Sequence, residues 1–169
     1  YCAGAFITDE RRSMMSHEEP LILVTDYKVD AVDPILPILE MIARESRPLI
    51  IIAEEIEGQA LAALIMNAMR GTLKVAAIKA PYYGDERQNT LSDLAVSVGA
   101  TFISRASGAK LNDIQLKDLG SAKFIEAGCD KIHNVENYRD PVGGSVGEIL
   151  SHRISANSFN LIASLIFLI

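Results

Sequence analysis

The chain has 169 residues, with a charged fraction of 22%, an apolar fraction of 49% and a net charge of −6. That balance excludes a disordered chain and leaves material for one packed domain, with or without a tail. The acidic surplus, with no cluster of Lys or Arg to offset it, argues against a nucleic-acid footprint. Two cysteines, Cys2 and Cys129, lie far apart and read as free thiols in a reducing compartment. A start at Tyr1 rather than Met reads as a piece excised from a longer protein.

Residues 1–20 read as irregular. Leu21 to Val24 forms a short apolar strand that ends at Thr25-Asp26. From Ala31 to Arg44 the pattern is helical. Asp33 and Pro34 fall in its opening turn, where an acid and a proline are both tolerated. Pro37 then lies about one turn in if the helix starts near Asp33, and implies a kink if it starts at Ala31. The helix carries two apolar rows. Ile35, Ile38 and Ile42 form one, and Leu36, Leu39 and Ala43 form another. One row suffices to dock on a sheet, so the second is surplus.

Leu49 to Ala53 is a continuous apolar run, the mark of a strand buried on both faces. Glu54, Glu55, Glu57 and Gly58 break it, and Gln59 to Arg70 is rich in helix formers. At about 100° per residue the apolar side chains of this second helix cover an arc of roughly 240°. A surface helix needs little more than about 100°. The helix is either buried nearly all round or keeps a spare apolar face. Gly71 stands where a helix C′ glycine belongs, and Lys74 to Lys79 forms the next strand, closed by Ala80-Pro81.

Asp85 to Val98 predicts a third helix with Gly99 as its stop. Phe102 to Ser104 is a short strand, Leu111 to Leu119 a loop with a short helix, and Lys123 to Ala127 a last strand. Strands alternating with helices predict an α/β fold around a buried sheet flanked by helices. After Lys131 the chain turns turn-rich, and Phe159 to Ile169 is almost wholly apolar. Those last residues are too few to cross a bilayer, which takes about 20.

Catalytic signatures are sparse. The turn after Ala53 lacks a G-x-G-x-x-G, and its acids would repel a pyrophosphate. His17, His133 and His152 show no metal spacing. Glu54, Glu55 and Glu57 read as a solvated turn that also favours the following helix N-terminus, and the serines carry no G-x-S-x-G elbow.

The stretch LIIIAEEIEGQALAALIMNAMRGTLKVAAIKAP closely resembles the core of group I chaperonins, the GroEL type. The likeness takes in ILPILEMIA at 35–43, GDERQNTLSDLAVSVGATFIS at 84–104 and LKDLGSAKFI at 116–125. It covers roughly residues 1–131 and points to the apical domain, a swivelling β/β/α fold. On that division residues 132–169 are an unmatched tail.

The resemblance implies an apolar groove between two helices that takes non-native polypeptide and the mobile loop of a GroES-type co-chaperonin. Position by position, Leu36, Leu39 and Ala43 would line the first helix, and Leu61, Ile65 and Met66 the second. Glu40 and Asn67 would lie at the groove's edges and Arg70 at the helix end. Tyr1 and Phe6 would be cavity-facing aromatics. It further implies a homo-oligomeric parent ring in the cytoplasm, or in an organelle matrix for an organellar parent, with no nucleic-acid or membrane partner. No cofactor is implied for this chain, and ATP and Mg only for the full-length parent.

Two departures stand out. Gly4-Ala5-Phe6 replaces the family's PYF, and Pro81-Tyr82-Tyr83-Gly84-Asp85-Glu86-Arg87 replaces PGFGDRR. The competing readings are an α/β small-molecule-binding or enzyme domain whose apolar helices are simply core, and a degenerate fragment without clients. Exposure of Leu36, Leu39, Leu61, Ile65 and Met66 discriminates between groove and core.

Overall fold

The computed structural model describes residues 3–80 and 83–127, and the backbone of residues 132–136. Elements in chain order are β1 (Met15–Glu18), β2 (Leu21–Val24), β3 (Lys28–Val29), α1 (Leu36–Glu45), β4 (Leu49–Ala53) and β5 (Glu55–Ile56). They continue with α2 (Gly58–Met69), β6 (Val75–Lys79), α3 (Gly84–Val98), β7 (Gly120–Ser121), β8 (Phe124–Ala127) and β9 (Ile132–Glu136). Short 3₁₀ turns span Gly4–Phe6, Leu111–Asp113 and Leu116–Asp118.

The central sheet has the order β6-β4-β2-β7. β2, β4 and β6 run parallel, with Leu21 opposite Leu49 and Leu49 opposite Val75, and β7 runs antiparallel to β2. The chain steps from β2 through α1 to β4, then through α2 to β6, in one direction across the sheet. Parallel crossovers are right-handed, so α1 and α2 share a face. After β6 the chain returns the other way through α3, which packs on β2 and β7, to Ile103, which bridges parallel to Thr25 at the end of β2. The same rule for parallel crossovers places α3 on the opposite face. With helices on both sides, every residue of β4 is buried, as its unbroken apolar run requires.

α1 starts later than its pattern predicts. The chain turns at Val32, whose carbonyl accepts from Ile35 N–H and Leu36 N–H, and the helix proper begins at Leu36. Pro37 then falls in the first turn, where its missing N–H has no partner to lose, so no kink is needed. The row Ile35, Ile38 and Ile42 docks on the core, each 1% exposed. Gly71 ends α2 with φ +66°, the conformation that makes glycine the default C′ residue.

Among the described residues, five strands lie outside the predicted set. β1 emerges from the stretch read as irregular and pairs antiparallel with β8, and β9 extends that second sheet on β8's other side. β7 and the paired β3 and β5 are the others. The expected strand at Phe102–Ser104 reduces to one parallel bridge between Thr25 and Ile103. β9 lies just past Lys131, so pairing continues across the boundary read there. The rest of the segment after Lys131, with the apolar run Phe159–Ile169, lies outside the described residues.

Gly120 marks the tightest approach between sheet and helix. A Cβ there would sit 2.6 Å from Val98 Cγ2 and 2.7 Å from Val98 O. Backbone cannot move aside as a flexible side chain could, so Gly120→Ala is expected to destabilise by about 1–3 kcal/mol. A urea titration with unchanged slope and a lowered midpoint checks this.

His17 on β1 is buried, and its Nε2 has no hydrogen-bond partner among the described residues. Burial first, and then the charge of Lys74, push its pKa down from 6.5 to about 4. The unfolded chain therefore binds a proton that the folded chain refuses between about pH 4 and 6.5. Stability rises with pH across that window and is flat above it, the whole effect being up to about 3 kcal/mol. Arg12 holds the Asp9 carboxyl below its ordinary value, and Lys79 and Lys28 do the same for Glu55. Their losses begin only as pH falls into the ordinary carboxylate range. His17→Gln is thus expected to flatten the stability curve above about pH 4.5, measured as urea midpoints at stepped pH.

Candidate polypeptide-binding surface

α1 and α2 each turn one arc to the sheet, and what remains depends on angle. On α1 the buried arc centres on Ile35, Ile38 and Ile42. Leu39 lies about 60° round from Ile42 and Leu36 about 120°. Leu39 accordingly falls on the core flank and is 6% exposed, whereas Leu36 is 44% exposed. Ala43 and Glu40 are exposed too. The predicted row is therefore split, and Leu39 is a core residue in this chain.

α2 is anchored by Ala60 and Leu64, both 0% exposed. Leu61 and Ile65 sit about 60° and 100° round from Leu64 and are half-buried, packed against the core with their outer sides open. Met66 lies further out and is 47% exposed. Asn67 is half-buried, and its Nδ2 donates to Ala63 O on its own helix at 2.8 Å, so its amide is committed there. Arg70, at the helix end, is exposed.

Two expectations fare differently. Phe6 is 2% exposed, in a 3₁₀ turn that packs on α2 and β6. It supports α2 from the core side and does not face outward. Tyr1 lies outside the described residues. Met69, outside the row expected to line the groove, is 72% exposed. Its spacing of three from Met66 was the available signal, since residues three apart share a helix surface.

The acids before α2 have partners that sequence could not supply. Glu57 is the N-cap residue of α2 but makes no side-chain cap. It pairs instead with Lys28 at 2.7 Å, and Glu55 bridges Lys28 at 3.2 Å and Lys79 at 2.9 Å. Glu54 is held between Arg87 of α3 and Arg105. These pairs tie the strand ends of the parallel sheet together. The β3–β5 pair lies in the same region and sets the start of α2, with Glu57 N–H donating to Val29 O and Ala60 N–H to Asp30 O. Gly58 takes φ +58° there, and a Cβ would stand 3.1 Å from Asp30 O.

Just beyond β2, Asp26 is buried and accepts from Ser104 Oγ at 3.0 Å and Arg105 N–H at 2.8 Å. Thr25 Oγ donates to Ile103 O at 2.7 Å. These bonds hold the 103–105 loop against the C-terminal end of β2, beside the switch point of the open sheet where such folds take small ligands. Among the described residues no group of three or more His, Cys, Asp or Glu side chains is placed to hold a metal, and no helix is long and apolar enough to cross a membrane.

No family model matches the chain. Curated relatives do. A chaperonin GroEL of Ehrlichia canis is 42% identical over 153 residues, covering 88% of this chain and 37% of its own length. A chaperonin GroEL of Anaplasma marginale (strain Florida) is 39% identical over 165 residues, covering 95% of this chain and 30% of its own length. The chain belongs to the GroEL-like chaperonins.

This GroEL-like chain spans about a third of the length of the curated relatives it matches. The shares of it that they cover exceed what residues 1–131 make up, so the likeness runs past Lys131. Among solved structures, the chaperonin gp146 from bacteriophage EL 2 (Pseudomonas aeruginosa), crystallised in the presence of ATP-BeFx, superposes with a TM-score of 0.68 at 15% identity. It covers 99% of this chain and 35% of its own, a similarity of fold. The mixed α/β architecture, with sheets flanked by helices, is thus that of a chaperonin domain.

Proposed function

We propose that this GroEL-like chain is the polypeptide-binding domain of a ring chaperonin, and that the outer faces of α1 and α2 hold non-native chains for folding. One observation carries the reading: Leu36 and Met66 are 44% and 47% exposed, on two helices that the right-handed crossovers place on one side of the sheet. Two large apolar side chains left open on helices of one face are the start of an apolar surface that packing on the sheet does not use. Leu61, Ile65 and Ala43 extend the surface, Glu40 borders it, and Arg70 stands at its end.

The chemistry needed is minimal. Non-native chains expose apolar side chains, and burying them against this surface gains about 25 cal/mol per Å². The gain is non-directional, so no client sequence is specified. Methionine in the surface adds a flexible, polarizable contact that adapts to varied partners. Each contact is weak, and repetition of the domain around a homo-oligomeric ring would raise avidity through effective concentration. The mobile loop of a GroES-type co-chaperonin would compete for the same surface. ATP and Mg would serve the full-length parent, in the cytoplasm or an organelle matrix.

The core-only alternative accounts for Leu39 and Leu64 but leaves Leu36, Met66 and Met69 unexplained. The test is binding of a fluorescently labelled, permanently unfolded apolar polypeptide to the chain. Saturable binding that survives high salt is expected, since apolar contact is not screened. Absence of binding, or binding abolished by salt, would count against the surface.

A further inference from the structure

We propose that Met66 and Met69 form a peroxide-sensitive pair, whose oxidation to sulfoxides switches off the apolar face of α2. The switch rests on the reading above that this face binds polypeptide. The modification site itself does not.

The chain has five methionines. Met15 is 0% and Met14 7% exposed, and Met41 is half-buried against the core. Met66 and Met69 are 47% and 72% exposed. The two most open thioethers thus lie three residues apart on one helix, about 60° apart around its axis. Neither anchors α2, a task that falls to Ala60 and Leu64. Oxidising Met14 or Met15 would require the core to open first, whereas Met66 and Met69 can be attacked in the folded chain.

The reaction needs a hydroperoxide. A sulfur lone pair attacks one peroxide oxygen, an S–O bond forms and the O–O bond breaks. The departing oxygen takes up a proton and leaves as water or an alcohol. Sulfur loses two electrons and the peroxide gains them. The product is a polar, chiral sulfoxide. An apolar client must then desolvate two new dipoles without partners, which opposes binding while leaving core packing intact. Methionine sulfoxide reductases reverse the change.

The test treats the full chain with hydrogen peroxide and follows tryptic peptides by mass spectrometry. Met66 and Met69 share a peptide ending at Arg70, Met41 lies in one ending at Arg44, and Met14 and Met15 lie in one beginning at Ser13. The same aliquots are assayed for binding of a labelled apolar peptide. The peptide ending at Arg70 is expected to gain oxygen several-fold faster than the one beginning at Ser13, with affinity falling about tenfold and returning after reductase treatment. A Met66→Leu/Met69→Leu chain, scored against its own untreated binding, is expected to show no such fall. Equal oxidation rates at all five methionines would overturn the site. Undiminished binding with both sulfoxides in place, or a loss that persists in the double variant, would overturn the switch. An untreated chain that binds no peptide defeats the functional reading and the switch together, while the peptide map still decides the site.

Discussion

Met66→Glu is expected to lower the chain's affinity for an unfolded apolar polypeptide at least about tenfold, with its unfolding midpoint nearly unchanged. Met66 is 47% exposed near the end of α2, so the charge stays in water in the free chain. It must be desolvated, with no partner, only when a client covers it. Ile65→Glu would remove binding as well. Ile65, however, is half-buried against the core, and a carboxylate there would cost stability and confuse loss of binding with loss of fold. Val96→Glu is the control. Val96 is 79% exposed on α3, on the opposite face of the sheet, and its change is expected to leave binding alone. Equal effects from Met66→Glu and Val96→Glu would sink the assignment of the surface to α2.

Leu64→Ala carries the largest expected effect on stability. Leu64 is 0% exposed and, with Ala60, supplies the fully buried contacts of α2. Truncation removes three carbons from a packed site between helix and sheet, and core Leu→Ala changes cost about 2–5 kcal/mol. In a domain of this size that lowers the melting temperature by on the order of 10 °C. Met69→Ala, on the open side of the same helix, is expected to stay within about 0.5 kcal/mol of wild type. Calorimetry on the two variants separates the anchoring face from the presenting face. Similar melting temperatures would mean that α2 is oriented otherwise.

Much of this architecture was legible in the residues. The unbroken run Leu49–Ala53 could only be a strand covered on both faces, and it lies at the centre of the parallel sheet. The two rows of α1 were visible as spacing, and the row Ile35, Ile38 and Ile42 docks as its period requires. β1 and β7 escaped notice because neither stretch has a long apolar run. They are strands only because β8 and β2 offer them a ladder.

The sequence by itself determined the α/β class, the order of the main strands and helices, the chaperonin likeness, and the presence of more apolar helical surface than docking needs. These properties are local, since they follow from periodicity, propensity and a contiguous run of residues. Tertiary structure alone decided how that surplus is shared out. Leu39 and Phe6 went to the core, while Leu36, Met66 and Met69 stayed open. The three acids before α2 found Lys28, Lys79, Arg87 and Arg105. Spacing places a side chain at an angle around its own helix. Whether that angle meets a sheet, a neighbouring turn or water depends on elements far away in the chain, and no local pattern records them.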